Sequence, residues 1–130
     1  MSTLTVSNIS DATTTVGTSY VVNGSAKASA NINQTSTQTI RSNSLNTSSV
    51  TDDGTGLTRI SYTSGFDNTD YVHIATAAGA SGSDGDHSFV PHADTSGHTT
   101  TQSHQVRTSR HDGTRQDAKY LMHATLGDLA

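Results

Sequence analysis

The sequence predicts an all-β fold: a single antiparallel β-sandwich, jelly-roll-like, preceded by an N-terminal arm. Three observations predict it. Ser and Thr make up about a third of the 130 residues, and the branched Cβ of Thr suits a pleated strand better than a helix. Short apolar runs alternate with period two, the spacing of side chains on one face of a strand. Turn signals rich in Gly, Asp and Asn recur every eight to twelve residues, the rhythm of a sandwich.

Taken in order, residues 1–20 form the arm and 21–130 the domain. Leu4, Val6 and Ile9 support one short strand, and a Thr-rich linker runs to Gly17 and Thr18. Tyr20, Val21 and Val22 lead into Asn23-Gly24, a strong turn signal. Ala26, Ala28, Ala30 and Ile32 alternate with polar residues and make a strand with very small inward side chains. Ile40 marks a short strand, and Val50 leads to the turn Asp52-Asp53-Gly54-Thr55-Gly56. In the next strand Thr58, Ile60 and Tyr62 share a face. Val72 and Ile74 mark the segment from Tyr71 as the central strand. A Gly/Ser/Asp loop follows, then strands around Val106 and from Tyr120 to Leu126, with the turn His111-Asp112-Gly113-Thr114 between them. No stretch has helical periodicity, a heptad or an internal repeat.

Ile, Leu, Val and Phe total 21 of 130 residues, below the roughly 20% level that flags disorder. Disorder pairs low hydrophobicity with high charge, whereas charged residues here are 14% and the net charge is −4. The chain is therefore a polar β protein with a marginal core, and surface shared between subunits is the expected remedy.

The same composition excludes several functions. Without cysteine there is no disulfide, thiolate metal site or thiol nucleophile. Arg107, Arg110 and Arg115 are interleaved with Asp112 and Asp117, so no basic stripe neutralises phosphates and no nucleic-acid partner is expected. The start lacks the basic and apolar regions of a secretory signal, and no apolar run reaches membrane-spanning length. Synthesis in a cytoplasm and no membrane partner are the expectations.

Seven histidines stand out: His73, His87, His92, His98, His104, His111 and His123. Five fall between 87 and 111, but without His-x-His or His-x3-His spacing, and the expectation is surface histidines with no metal and no cofactor. Ser, His and Asp are too abundant for their co-occurrence to indicate a triad, and no Gly-x-Ser-x-Gly elbow occurs. Asp52-Asp53 and Asp84/Asp86 fit turn chemistry better than a glycosidase pair or a calcium loop. No catalytic residue is expected, and the chain is read as a non-enzyme.

One resemblance adds to this. The opening Met-Ser-Thr-Leu-Thr-Val-Ser-Asn-Ile-Ser-Asp resembles that of small fibre-like virion structural proteins of marine and cyanobacterial tailed bacteriophages. So do Ala26-Lys27-Ala28, Ile40-Arg41, the run 48–56 and Asp70-Tyr71, and, near the end, Val106-Arg107-Thr108, Gly113-Thr114 and Leu126-Gly127-Asp128. The likeness spans about residues 2–128; the family's first-strand Trp and Phe are replaced here by Ser29 and Asn31. It implies a virion component, an accessory fibre or decoration subunit on capsid or tail. Its partners are other phage structural proteins and copies of itself as a homotrimer. The alternative it leaves open is a receptor-binding tail fibre or tip module whose 78–105 loops touch the host surface.

Overall fold

The computed structural model describes residues 5–41, 43–80, 92–93, 97–110 and 112–130. An arm comes first. Strands β1 (Asn8–Ser10) and β2 (Thr15–Gly17) form a two-stranded antiparallel hairpin. Its turn is held by Asp11, whose Oδ1 accepts the Thr13 and Thr14 amides at 3.0 and 2.7 Å. Helix α1 (Thr18–Gly24) follows. This corrects the sequence reading, which found no helix and had 20–22 leading into a turn at Asn23-Gly24. The helix is only two turns long and has no side-chain cap, so local sequence gives it little support. It straddles the expected arm–domain boundary, and the sandwich begins at Ala28.

The remaining strands make two four-stranded antiparallel sheets. The first has the order β4-β3-β10-β7, from β3 (Ala28–Asn33), β4 (Thr39–Ile40), β7 (Val72–Ala80) and β10 (Ala118–Leu126). The second has the order β5-β6-β9-β8, from β5 (Thr47–Gly54), β6 (Leu57–Tyr62), β8 (His92–Ala93) and β9 (Gln102–Arg107). The two sheets face one another across a shared apolar cluster. Ala28, Ala30, Ile32 and Leu121 come from the first sheet and Ile60, Tyr62 and Val106 from the second; Phe66 and Tyr71 join from the intervening loop. The chain is therefore an all-β sandwich. The strand order does not single out a jelly roll.

Period-two patterning accounts for most of this. Ala28, Ala30 and Ile32 are buried while Ser29, Asn31 and Asn33 are not, and Thr58, Ile60 and Tyr62 turn inward together. The β5–β6 hairpin closes through Thr55 and Gly56, with Asp52 and Asp53 inside β5 and not in the turn proper. Gly56 is required there. Its φ is +64°, and a Cβ at that position meets the Thr108 carbonyl oxygen at 2.5 Å.

The strand that sequence placed at the centre is an edge. Among the described residues β7 pairs only with β10. Val72 and Ile74 are exposed, and His73, Ala75 and Ala77 turn inward. The apolar pair drew attention to the wrong face, because a strand shows one bit of alternation and not which side is buried.

The core is unusually polar. Among the described residues eleven apolar and eight polar residues are buried, so satisfaction of the polar groups decides whether the interior holds together. Gln34, fully buried, does most of this. Its Nε2 donates to Thr58 Oγ1 at 2.9 Å, and its Oε1 accepts the Ala118 amide at 2.8 Å and lies 2.9 Å from Thr108 Oγ1. Its own amide donates to the Ala118 carbonyl at 3.0 Å. Thr58 Oγ1 donates onward to Gln38 Oε1 at 2.6 Å, and Gln38 Nε2 reaches the Leu57 carbonyl at 3.1 Å. One carboxamide thus bonds β3, β6, the end of β9 and the start of β10.

Truncation of Gln34 leaves the Ala118 amide and two threonine hydroxyls without that partner in the interior. Gln34→Ala is expected to lose about 3 kcal/mol, which for a domain of this size lowers Tm by roughly 10 °C. Thermal unfolding followed by circular dichroism measures it.

Candidate functional site

The inner face of β7 and β10 gathers the most unusual chemistry. Antiparallel pairing sets Thr125 opposite His73 and His123 opposite Ala75. The two imidazoles are therefore diagonal neighbours on one face, and they stack with ring centroids 5.2 Å apart and planes 14° from parallel. His123 is 5% exposed, and neither of its ring nitrogens has a hydrogen-bond partner among the described residues. His73 Nδ1 lies 3.4 Å from Thr125 Oγ1, which in turn lies 3.2 Å from Tyr62 Oη.

Aromatic rings continue the cluster toward the loop end of the sandwich. Tyr62 meets Phe66 edge-on at 4.9 Å, Phe66 lies 4.6 Å from Tyr71, and Tyr71 stacks on His98 at 5.0 Å. The Tyr71 hydroxyl lies 3.1 Å from the Thr99 carbonyl and 2.8 Å from that of Gln102. This anchors the 97–101 loop to the sheet.

Burial sets the protonation states here. It lowers His73 to about 4, with the His98 ring adding to the effect. It lowers His123 to about 3, with His73 adding to it. Burial also raises the Tyr71 phenol well above its usual value. Both histidines are neutral at physiological pH, and neither is poised as a general acid or base near neutrality.

Sequence reasoning expected the notable histidines between 87 and 111. The rings that meet are instead His73 and His123, fifty positions apart, with His98 nearby. His92 and His104 fall in β8 and β9, and His87 and His111 lie outside the described residues. No linear signal pairs His73 with His123; only the β7–β10 register does. Near-parallel rings do not aim their in-plane lone pairs at one point, and no group of three or more ligating side chains suited to a metal ion occurs among the described residues.

Asp52, Asp53 and Asp117 are engaged in structural contacts. Asp53 makes a two-pronged ion pair with Arg59, at 3.1 Å to Nε and 2.9 Å to Nη2. Asp52 Oδ1 accepts from Gln38 Nε2 at 3.0 Å and from the Gly54 amide at 2.9 Å. Asp117 Oδ1 accepts the Gly56 amide at 2.6 Å. Asp84 and Asp86 lie outside the described residues. Of the arginines, Arg107 donates to Ser109 Oγ at 3.1 Å and to the Gly113 carbonyl at 3.2 Å, while Arg110 donates to Gln116. They brace the 107–116 turn.

A second feature is the outer face of the first sheet. Val72 is 58% and Ile74 56% exposed. Beside them a depression of about 220 Å³ is lined by Ile74, Thr76, Met122 and Ala124, with Ala75 and His123 at its floor. The arm carries its own exposed apolar groups, Val6, Ile9, Val16, Val21 and Val22.

These features place the chain in a class, a polar-cored β-sandwich with exposed apolar surface on its arm and on one sheet. No protein-family model, curated protein or solved structure matches it.

The histidine pair gives the sandwich an acid limit. The unfolded chain takes up protons near pH 6.5, whereas the folded pair resists until about pH 4 and about pH 3. The unfolded state therefore binds more protons between these values, and stability falls as pH drops from 6.5 toward 3. Urea unfolding at pH steps from 7 to 3.5 is expected to show this fall. His123→Leu, which fills the same space without a titrating group, removes about half of the slope.

Proposed function

We propose that the chain is a non-enzymatic structural subunit of a tailed-bacteriophage particle, an accessory fibre or decoration protein fixed to the capsid or tail. The observation that carries this reading is the distribution of apolar surface. A chain with few large apolar groups leaves Val6, Ile9, Val16, Val21 and Val22 of its arm exposed, and Val72 and Ile74 of its sheet as well. Arm strands pair with each other, and α1 packs on β2. Apolar surface left out of a marginal core is surface for assembly. The arm docks on another structural protein of the particle, and the sandwich packs with further copies.

The ionisable groups support the same reading. The buried histidines are neutral and stacked, and Asp52, Asp53 and Asp117 are engaged in turns and pairs. The resemblance supplies the setting, a virion.

Mass spectrometry of purified particles tests this. The chain is expected as a fixed-stoichiometry component, in tens to hundreds of copies on a capsid or in a few copies on a tail. A version lacking residues 1–24 is expected to fold and to be missing from particles. Absence of the intact chain from particles overturns the proposal.

A further inference from the structure

A sheet edge invites pairing with another chain unless something prevents it. Among the described residues the sandwich has four edges, and three are protected. Strands β4 and β8 are two residues long. Strand β5 carries Asp52 and Asp53, and its register with β6 is broken at Thr47/Ser49 and again at Asp52/Gly54. Strand β7 is different. It runs nine residues, Val-His-Ile-Ala-Thr-Ala-Ala-Gly-Ala, with no acidic or basic residue, and its one titratable side chain, His73, is turned into the sandwich. The irregularity at Gly79, with φ +69°, comes only at its end.

We infer that β7 is the seam between two copies of this chain, pairing antiparallel with the β7 of a second copy about a two-fold axis. This rests on the reading of the chain as a self-assembling subunit and names the surface it uses. The argument for a second copy is charge. Self-pairing sets a strand against itself, so any charge on it meets its like. Among the edges long enough to pair, β5 opposes aspartate to aspartate, and β7 opposes nothing charged. The two-fold also fits the side chains. A register pairing even-numbered positions with even-numbered ones keeps the outer faces together, so Val72, Ile74, Thr76 and Ala78 of one copy line up beside those of the other. Branched side chains opposed across a seam shield one another, which accounts for an edge strand carrying Val72 and Ile74, the two most exposed large apolar side chains among the described residues of the sandwich.

Seven paired residues extend about 24 Å. An edge-to-edge contact of that length falls below the roughly 800 Å² per partner of standard interfaces, so the dimer is concentration-dependent. An isologous contact closes at two copies, so the unit is a dimer and not the trimer that the resemblance implies.

The experiment uses the purified full chain. Sedimentation at rising concentration is expected to show a reversible shift from monomer to dimer mass, and Ile74→Lys, on an exposed position, to weaken it about tenfold or more. Because the chain has no cysteine, single cysteines report the seam directly. Val72→Cys, Ile74→Cys, Thr76→Cys and Ala78→Cys are made singly and oxidised both alone and in equimolar mixtures, Val72→Cys with Ala78→Cys and Ile74→Cys with Thr76→Cys, with Ser48→Cys on β5 as control. At least one β7 variant or mixture is expected to oxidise to a covalent dimer while the control does not. A monomer at every concentration overturns the inference. So does an oligomer that Ile74→Lys leaves intact and that no β7 cysteine links. Should Ile74→Lys fail to fold, the cysteine series decides. Neither result bears on whether particles contain the chain.

Discussion

The fold depends on one buried carboxamide. Gln34 stands where β3 leaves the first sheet, and it exchanges two hydrogen bonds with Ala118, one through its backbone and one through its side chain. The other end of the same group reaches Thr58 on the opposite sheet. A neutral amide can do this in an interior where an ion could not, because it offers donors and acceptors without the cost of desolvating a charge. Thr58, Thr108 and Gln38 extend the network: the Thr58 hydroxyl accepts from Gln34 and donates to Gln38, and the Thr108 hydroxyl donates to the Gln34 carboxamide oxygen. Such a network is worth most when fully satisfied and least when broken. It allows two sheets to be joined although the apolar cluster between them relies on Ala28 and Ala30 as well as on larger groups.

The sequence made the all-β class legible because period-two alternation and turn residues are local signals. The inward set Ala28, Ala30 and Ile32 and the hairpin ending at Gly56 could be read directly. The failures were non-local or lacked a local signal. Which face of β7 is buried depends on β10, fifty residues away, so Val72 and Ile74 suggested a centre where there is an edge. The stacking of His73 on His123 depends on the same register. The Gln34 network was invisible for a related reason: in a chain rich in Ser, Thr, Asn and Gln, nothing marks the few that are buried. Helix α1 has no cap and no apolar stripe to announce it.

The polar interior and the apolar exterior are two sides of one composition. With 21 Ile, Leu, Val and Phe in 130 residues, the nine large apolar side chains exposed among the described residues are a considerable allocation. Five of those nine belong to the arm, which makes its own small hairpin, and two belong to β7. A subunit built in this way holds its own core with hydrogen bonds and keeps apolar surface for assembly. The neutral stacked histidines behind β7 pack that edge against β10, and their reluctance to take protons weakens the packing as pH falls well below neutrality.

Amide hydrogen exchange on the purified chain, read residue by residue, tests whether the Gln34 carboxamide holds the two sheets together. The Ala118 amide donates to a side chain rather than to a strand ladder, so an ordinary strand end frays and exchanges early there. Ala118 is expected to exchange only with global unfolding, as slowly as the amides of Leu121 and Ile60, while the arm amides exchange orders of magnitude faster. Exchange of Ala118 at the rate of the arm would contradict it and show that the sheets are held together without the Gln34 carboxamide.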